Sequence, residues 1–64
     1  MNEESNSSVI IHLTNHLEPV IISNLKNPAY SSTKDGYYVY DGSRLIGEFR
    51  KDCVIGIFIE EDTL

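Results

Sequence analysis

The stretch at residues 37–60, YYVYDGSRLIGEFRKDCVIGIFIE, reads as three consecutive strands joined by two tight turns. In a chain of 64 residues this leaves space for one small β domain. It leaves none for a cofactor-binding fold or a catalytic domain of ordinary size. The expected fold class is all-β, a small antiparallel sheet or open barrel of about five strands.

Side chains alternate along a strand, so Tyr38 and Tyr40 share one face of residues 37–40, with Tyr37 and Val39 on the other. Asp41-Gly42 is a strong hairpin signal. Arg44–Arg50, RLIGEFR, is the next strand, and Gly47 inside it calls for a bulge, a strong bend or a close backbone approach. Lys51-Asp52 turns the chain again. Residues 53–60 are apolar on both faces, with Cys53, Ile55, Ile57 and Ile59 on one and Val54 and Phe58 on the other. Such a strand is expected to be central, or covered on its outer face by a second chain. Gly56 allows it to bend, and Glu60, Glu61 and Asp62 restrain edge pairing.

Upstream, residues 1–8 are polar and predict a flexible arm. Residues 9–13, VIIHL, set Val9, Ile11 and Leu13 on one face and Ile10 and His12 on the other. Val20–Leu25, VIISNL, is the second strand, entered through Pro19, which lacks an N–H and belongs at a strand start or an edge. Residues 26–35 read as the longest loop, with the turn signal Asn27-Pro28, the polar run Ser31-Ser32-Thr33, and Asp35-Gly36, a pair that tolerates positive φ. Any short helical turn belongs at residues 15–19 or 26–30. The domain is expected to span residues 9–61, with an acidic tail at 62–64.

A chain this short buries only about 60% of the surface its unfolded form exposes. It usually needs a staple. Cys53 is the single cysteine, so no disulfide forms within the chain, and the lone thiol points to a reducing compartment. Association is the staple that remains, and a homodimer is expected, with Val54, Ile55, Ile57, Phe58 and Ile59 as the self-association residues. The start of the chain has no basic region followed by a long apolar run, and no apolar stretch is long enough to span a membrane. The expected location is the cytoplasm.

The net charge is −5, which argues against general nucleic-acid binding. Its distribution is uneven. Residues 1–25 hold Glu3, Glu4 and Glu18 without a base, and residues 52–64 hold Asp52, Glu60, Glu61 and Asp62 without a base. All five basic residues, Lys26, Lys34, Arg44, Arg50 and Lys51, fall between them. Acidic ends around a basic middle suit a solvated surface, and they also suit head-to-tail or antiparallel self-association.

The chain carries no recognisable catalytic constellation, and no enzyme activity, cofactor or metal is expected. His12 and His16 are four residues apart, which would align them on a helix, but the Val-Ile-Ile lead-in makes a strand and its turn. Cys53 is followed directly by Val54 and Ile55, the setting of a buried structural thiol. Ser31, Ser32 and Thr33 have no His-Asp partners at a recognisable spacing. The tyrosines are the best lead, because tyrosine offers contact area at low entropy cost together with a polar tip. Tyr30, Tyr37, Tyr38 and Tyr40, with Arg44 and Arg50, are the expected partner-binding residues. The alternative for the same tyrosines is cross-strand packing that stabilises the sheet.

Gly47-Glu48-Phe49, then four residues, then Val54, resembles the end of an SH3-type barrel, where a glycine, an aromatic and a short turn lead into the last strand. The tryptophan and proline of that family's peptide groove are missing here, so proline-motif binding is not implied. In size and charge the chain also resembles the small acidic β proteins encoded by bacteriophages, many of which inhibit host enzymes or immune systems by binding them. The expected function is a non-enzymatic protein-binding module, of the phage inhibitor, anti-defence kind. The alternatives are a small barrel that binds single-stranded nucleic acid through tyrosines, Arg44 and Arg50, and a structural subunit of a larger assembly.

Overall fold

Three apolar side chains at alternate positions, Val9, Ile11 and Leu13, begin the core, and the first two are completely buried. They lie on β1 (Asn6–Leu13) in a computed structural model that describes residues 6–62. Five further strands follow: β2 (Val20–Leu25), β3 (Pro28–Ser32), β4 (Gly36–Asp41), β5 (Arg44–Arg50) and β6 (Val54–Asp62). A short 3-10 turn, Lys51–Cys53, joins the last two. The protein is all-β, in two antiparallel three-stranded sheets ordered β2-β1-β6 and β3-β4-β5. The sheets do not close into a barrel. The chain passes between them twice, from β2 to β3 and from β5 to β6, each time from one edge strand to another.

The inner faces share one core. Val9 and Ile11 from β1, Leu25 from β2 and Val39 from β4 are buried together. Leu13, Ile22, Ile46, Phe49, Val54 and Ile57 pack around them. Each of these side chains has the parity that the register places inward, or sits at a bulge that resets it.

Two bulges arise from one repeated local sequence, Ile46-Gly47-Glu48-Phe49 and Ile55-Gly56-Ile57-Phe58. In β5 the register slips between Val39 and Tyr40, so Ile46 is the extra residue. In β6 it slips between His12 and Leu13, so Ile55 is the extra residue. In both, the phenylalanine two residues beyond the glycine folds back over it. A Cβ on Gly47 would stand 3.2 Å from the Phe49 ring, and one on Gly56 would stand 3.2 Å from the Phe58 ring. The aromatic covers backbone that a glycine leaves bare, a known device for rescuing glycine in a strand. Of the bulge, strong bend or close approach expected at Gly47, the structure has a bulge, with the neighbouring Ile46 as the extra residue.

The turns follow their chemistry. The β4–β5 hairpin has a two-residue loop, Gly42-Ser43, with Gly42 at φ 67°. Glycine at the first loop position is what a II′ turn demands. Asp41 ends the strand instead of entering the turn, and its carboxylate accepts the Asn27 N–H at 2.8 Å while the Gly42 N–H donates to the Asn27 carbonyl at 2.8 Å. These bonds tie the crossing from β2 to β3 to the hairpin tip. The β3–β4 turn is organised by Thr33, whose Oγ1 accepts the N–H groups of Asp35 at 3.1 Å and Gly36 at 3.2 Å. Replacing Thr33 with Val keeps the shape and removes the acceptor that both N–H groups share. The urea midpoint should fall by an amount worth about 1–2 kcal/mol, and an unchanged midpoint would show that water replaces the hydroxyl without cost.

Several expectations need correction. Among the described residues there are six strands, where about five were expected. The additional one is β3, inside the segment read as a loop at residues 26–35. It is an edge strand of sequence PAYSS, in which Tyr30 is the single strong β-former and no apolar alternation appears, so its pairing with β4 is what makes it a strand. β1 begins at Asn6, inside the polar segment read as an arm, while residues 1–5 lie outside the described residues. Of the acidic tail, Asp62 belongs to β6, and residues 63–64 lie outside the described residues. β6 is an edge strand and not a central one, because β1 takes the middle of its sheet. Cys53 is exposed at the end of the 3-10 turn and not buried. That turn, at Lys51–Cys53, is the one helical turn among the described residues, away from both expected places. Gly36 does not have positive φ. It is glycine for lack of room, since a Cβ there would lie 2.5 Å from the Phe49 carbonyl oxygen.

Candidate functional site

The pairing of β4 with its neighbours sorts the tyrosines onto two faces. Tyr38 and Tyr40 lie opposite Ser31 and Ala29 on one side and Glu48 and Leu45 on the other. Directly paired residues share a face, so these six side chains form the outer face of the β3-β4-β5 sheet. Both tyrosines are half-buried, and Leu45, Ala29 and Ser31 are exposed beside them. Arg50 pairs with Gly36 and closes the same face at one end.

Tyr37 and Tyr30 have the opposite parity. Tyr37 pairs with Phe49 and Ser32, and Tyr30 pairs with Val39, on the core side. Tyr30 is nevertheless exposed, because β3 is the edge strand. Tyr37 lies under Lys51, whose Nζ is 4.7 Å from the ring centroid. The same Nζ donates to Ser32 Oγ at 2.6 Å and to the Thr33 carbonyl at 2.9 Å. Lys51 therefore clamps the β3–β4 turn to the 3-10 turn, and Tyr37 belongs to that clamp. Arg44 pairs with Asp41 at the hairpin tip, also off the Tyr38 face. Of the six expected partner-binding residues, the fold brings together Tyr38, Tyr40 and Arg50, and it places Tyr30, Tyr37 and Arg44 elsewhere.

A shallow cleft opens at the Arg50 end of the outer face, lined by Asp35, Gly36, Tyr38, Glu48, Phe49 and Arg50. Gly36, buried and without a side chain, lies between Tyr38 and Arg50 in its lining. Glu48 and Asp35 give it carboxylates and Arg50 a cation. Arg50 Nε lies 3.7 Å from Asp52 Oδ1, both side chains being strongly exposed, a contact worth little in water. Sequence reasoning missed Glu48 and Leu45 as members of this face. Their place on it depends on the bulge at Ile46, which Gly47 signals without fixing which residue is the extra one.

The β2-β1-β6 sheet has its own exposed outer face. Ile10 pairs with Ile21 on β2 and Phe58 on β6, so one apolar row crosses all three strands. The His12 ring meets Phe58 edge-on at 5.6 Å between centroids. His16 is on the exposed loop after β1, so the two histidines lie on a strand and its loop rather than on one helix face. Among the five residues expected to drive self-association, Val54 and Ile57 pack on the chain's own core. Ile55, Phe58 and Ile59 remain 70%, 57% and 45% exposed. No group of three or more His, Cys, Asp or Glu residues suited to a metal occurs among the described residues. No described helix is long and apolar enough to cross a membrane.

No protein-family model, curated protein or solved structure matches this chain.

Proposed function

We propose that the chain is a non-enzymatic protein-binding module that meets its partner with the outer face of the β3-β4-β5 sheet. The observation that supports it best is the placement of Tyr38 and Tyr40 side by side on a three-stranded sheet, next to exposed Leu45 and the cleft at Gly36. Half-buried tyrosines on strands are already ordered before binding, so little side-chain entropy is lost when a partner covers them. The charged groups at the cleft, Arg50, Glu48 and Asp35, form a polar rim suited to fixing orientation. Small size, acidity and an all-β fold favour an inhibitor that occludes a target surface, as phage proteins do to bacterial defence proteins, acting in the host cytoplasm. Self-association belongs to the other sheet.

Binding of single-stranded nucleic acid is less well supported. It needs the tyrosines together with Arg44 and Arg50, and the register separates Arg44 from Tyr38 and Tyr40. One cation then remains on the stacking face, beside two carboxylates.

The test is affinity capture from nuclease-treated lysate with the wild-type chain and with Tyr38→Ala/Tyr40→Ala. A stoichiometric protein partner should appear with the wild type. The double variant should weaken its binding about a hundredfold or more, since buried aromatic anchors carry about 2 kcal/mol or more each. Circular dichroism should show the sheet retained. Undiminished capture by the double variant would remove the assignment to this face, and capture that vanishes with nuclease would favour nucleic acid.

A further inference from the structure

β6 is the longest strand of the fold, nine residues, and it lies at a sheet edge. Among the described residues it pairs on one side with β1, which leaves a row of backbone N–H and C=O groups on its other side. Its exposed apolar side chains, Ile55, Phe58 and Ile59, cluster on both sides of Ile57. Its own charges sit at one end, with Glu60 and Glu61 exposed after the apolar stretch, and Arg50, Lys51 and Asp52 stand just before its start.

We propose that β6 pairs with the β6 of a second copy, antiparallel, about a twofold axis perpendicular to the sheet at Ile57. Two strands related by such an axis keep their outer faces on the same side, so the two three-stranded sheets become one sheet of six. The pairing sets Ile57 opposite Ile57 of the partner subunit, Ile55 opposite Ile59 of the partner subunit and Gly56 opposite Phe58 of the partner subunit. The exposed Ile55 and Ile59 of the two copies thereby cover each other across the axis.

Charge selects this arrangement over the parallel one. A parallel pair would align Glu60 and Glu61 with their own copies, and like charges directly opposite are destabilising. In the antiparallel pair the two copies of Glu60 are offset by about six residues. At about 3.3 Å per residue this is roughly 20 Å, about twice the Debye length in 0.1 M salt. Each acidic end instead runs toward the corner of the other copy that holds Arg50, Lys51 and Asp52, where two cations stand against one carboxylate. A domain of this size also gains the burial it lacks alone. The tyrosine face lies on the other sheet, so this proposal does not depend on the binding function.

Sedimentation velocity across a concentration series is the test, with wild type, Ile55→Lys, Ile59→Glu and the variant carrying both. The wild type should form a concentration-dependent dimer. Each single substitution sets a charge against isoleucine twice across the twofold axis and should weaken dimerisation about thirtyfold or more. The double variant should regain it, because the axis sets position 55 of each copy opposite position 59 of the other, so every new lysine meets a new glutamate. A wild type that stays monomeric at every concentration overturns the proposal without any variant. So does a dimer indifferent to the single substitutions, and so does a double variant no better than the singles, which would mean another register or another surface. Growth beyond a dimer would also overturn it, since a closed twofold leaves no β6 edge to extend.

Discussion

Ile11→Ala should cost this domain about 3–4 kcal/mol, a large part of its total stability. Ile11 is fully buried on the central strand of its sheet, paired with Val20 on one side and Ile57 on the other. Its side chain lies in the cluster that joins both sheets, with Val9, Leu25 and Val39. With so few completely buried residues, the surroundings have little means to collapse onto a cavity. A chain of this size is expected to have about 3–10 kcal/mol in total. Urea denaturation followed by circular dichroism should therefore show a much lower midpoint with the transition slope nearly unchanged. Ile11→Val should cost only about 1 kcal/mol. A loss below about 1 kcal/mol for the alanine variant would contradict the position of Ile11 at the centre of the core.

Gly36→Ala should cost about 2 kcal/mol, although it adds a single methyl group. The new Cβ would stand 2.5 Å from the Phe49 carbonyl oxygen, and that atom belongs to the backbone of the paired strand. A side chain could rotate away, but a carbonyl in a ladder cannot move without disturbing the pairing of Gly36 with Arg50. Movement of Gly36 instead would strain its bonds with Thr33, the N–H to Oγ1 and the carbonyl that accepts the Thr33 N–H at 2.9 Å and the Thr33 hydroxyl at 3.3 Å. Gly47→Ala provides the contrast. Its methyl would meet the Phe49 ring at 3.2 Å, and a ring has freedom to shift. The loss at Gly36 should exceed that at Gly47 when both are measured by thermal unfolding. The reverse order would mean that aromatic cover of Gly47, rather than the close strand approach at Gly36, is the tighter constraint.

The legible parts of this protein are those with local physical causes. Val9, Ile11 and Leu13 alternate with Ile10 and His12, and the strand and its buried face follow from that. Gly42 beside Asp41 marks a hairpin because a two-residue loop needs a residue at ease with positive φ. Tyr38 and Tyr40 share a face whatever the sheet around them, since alternation is a property of the strand itself. The strand at Pro28–Ser32 was illegible for the converse reason: its exposed residues carry no burial pattern, and its identity comes from β4.

Residues far apart in sequence decided the rest. CVIGIFIE is apolar on both faces whether it lies in the middle of a sheet or at its edge. It is an edge here because β1 pairs with β2 and β6 together. The place of Cys53 follows from the same choice: the chain turns out of one sheet and into the other at Lys51–Cys53, which leaves the thiol in solvent. Which tyrosines meet Arg50, and which lie against the core, likewise depended on register and on one extra residue at Ile46. Local alternation and turn chemistry settle which residues are strands and which side chains share a face. Pairing partners are set by long-range contacts whose energies no short stretch of chain contains, and only the folded arrangement reveals which faces and edges remain for another molecule.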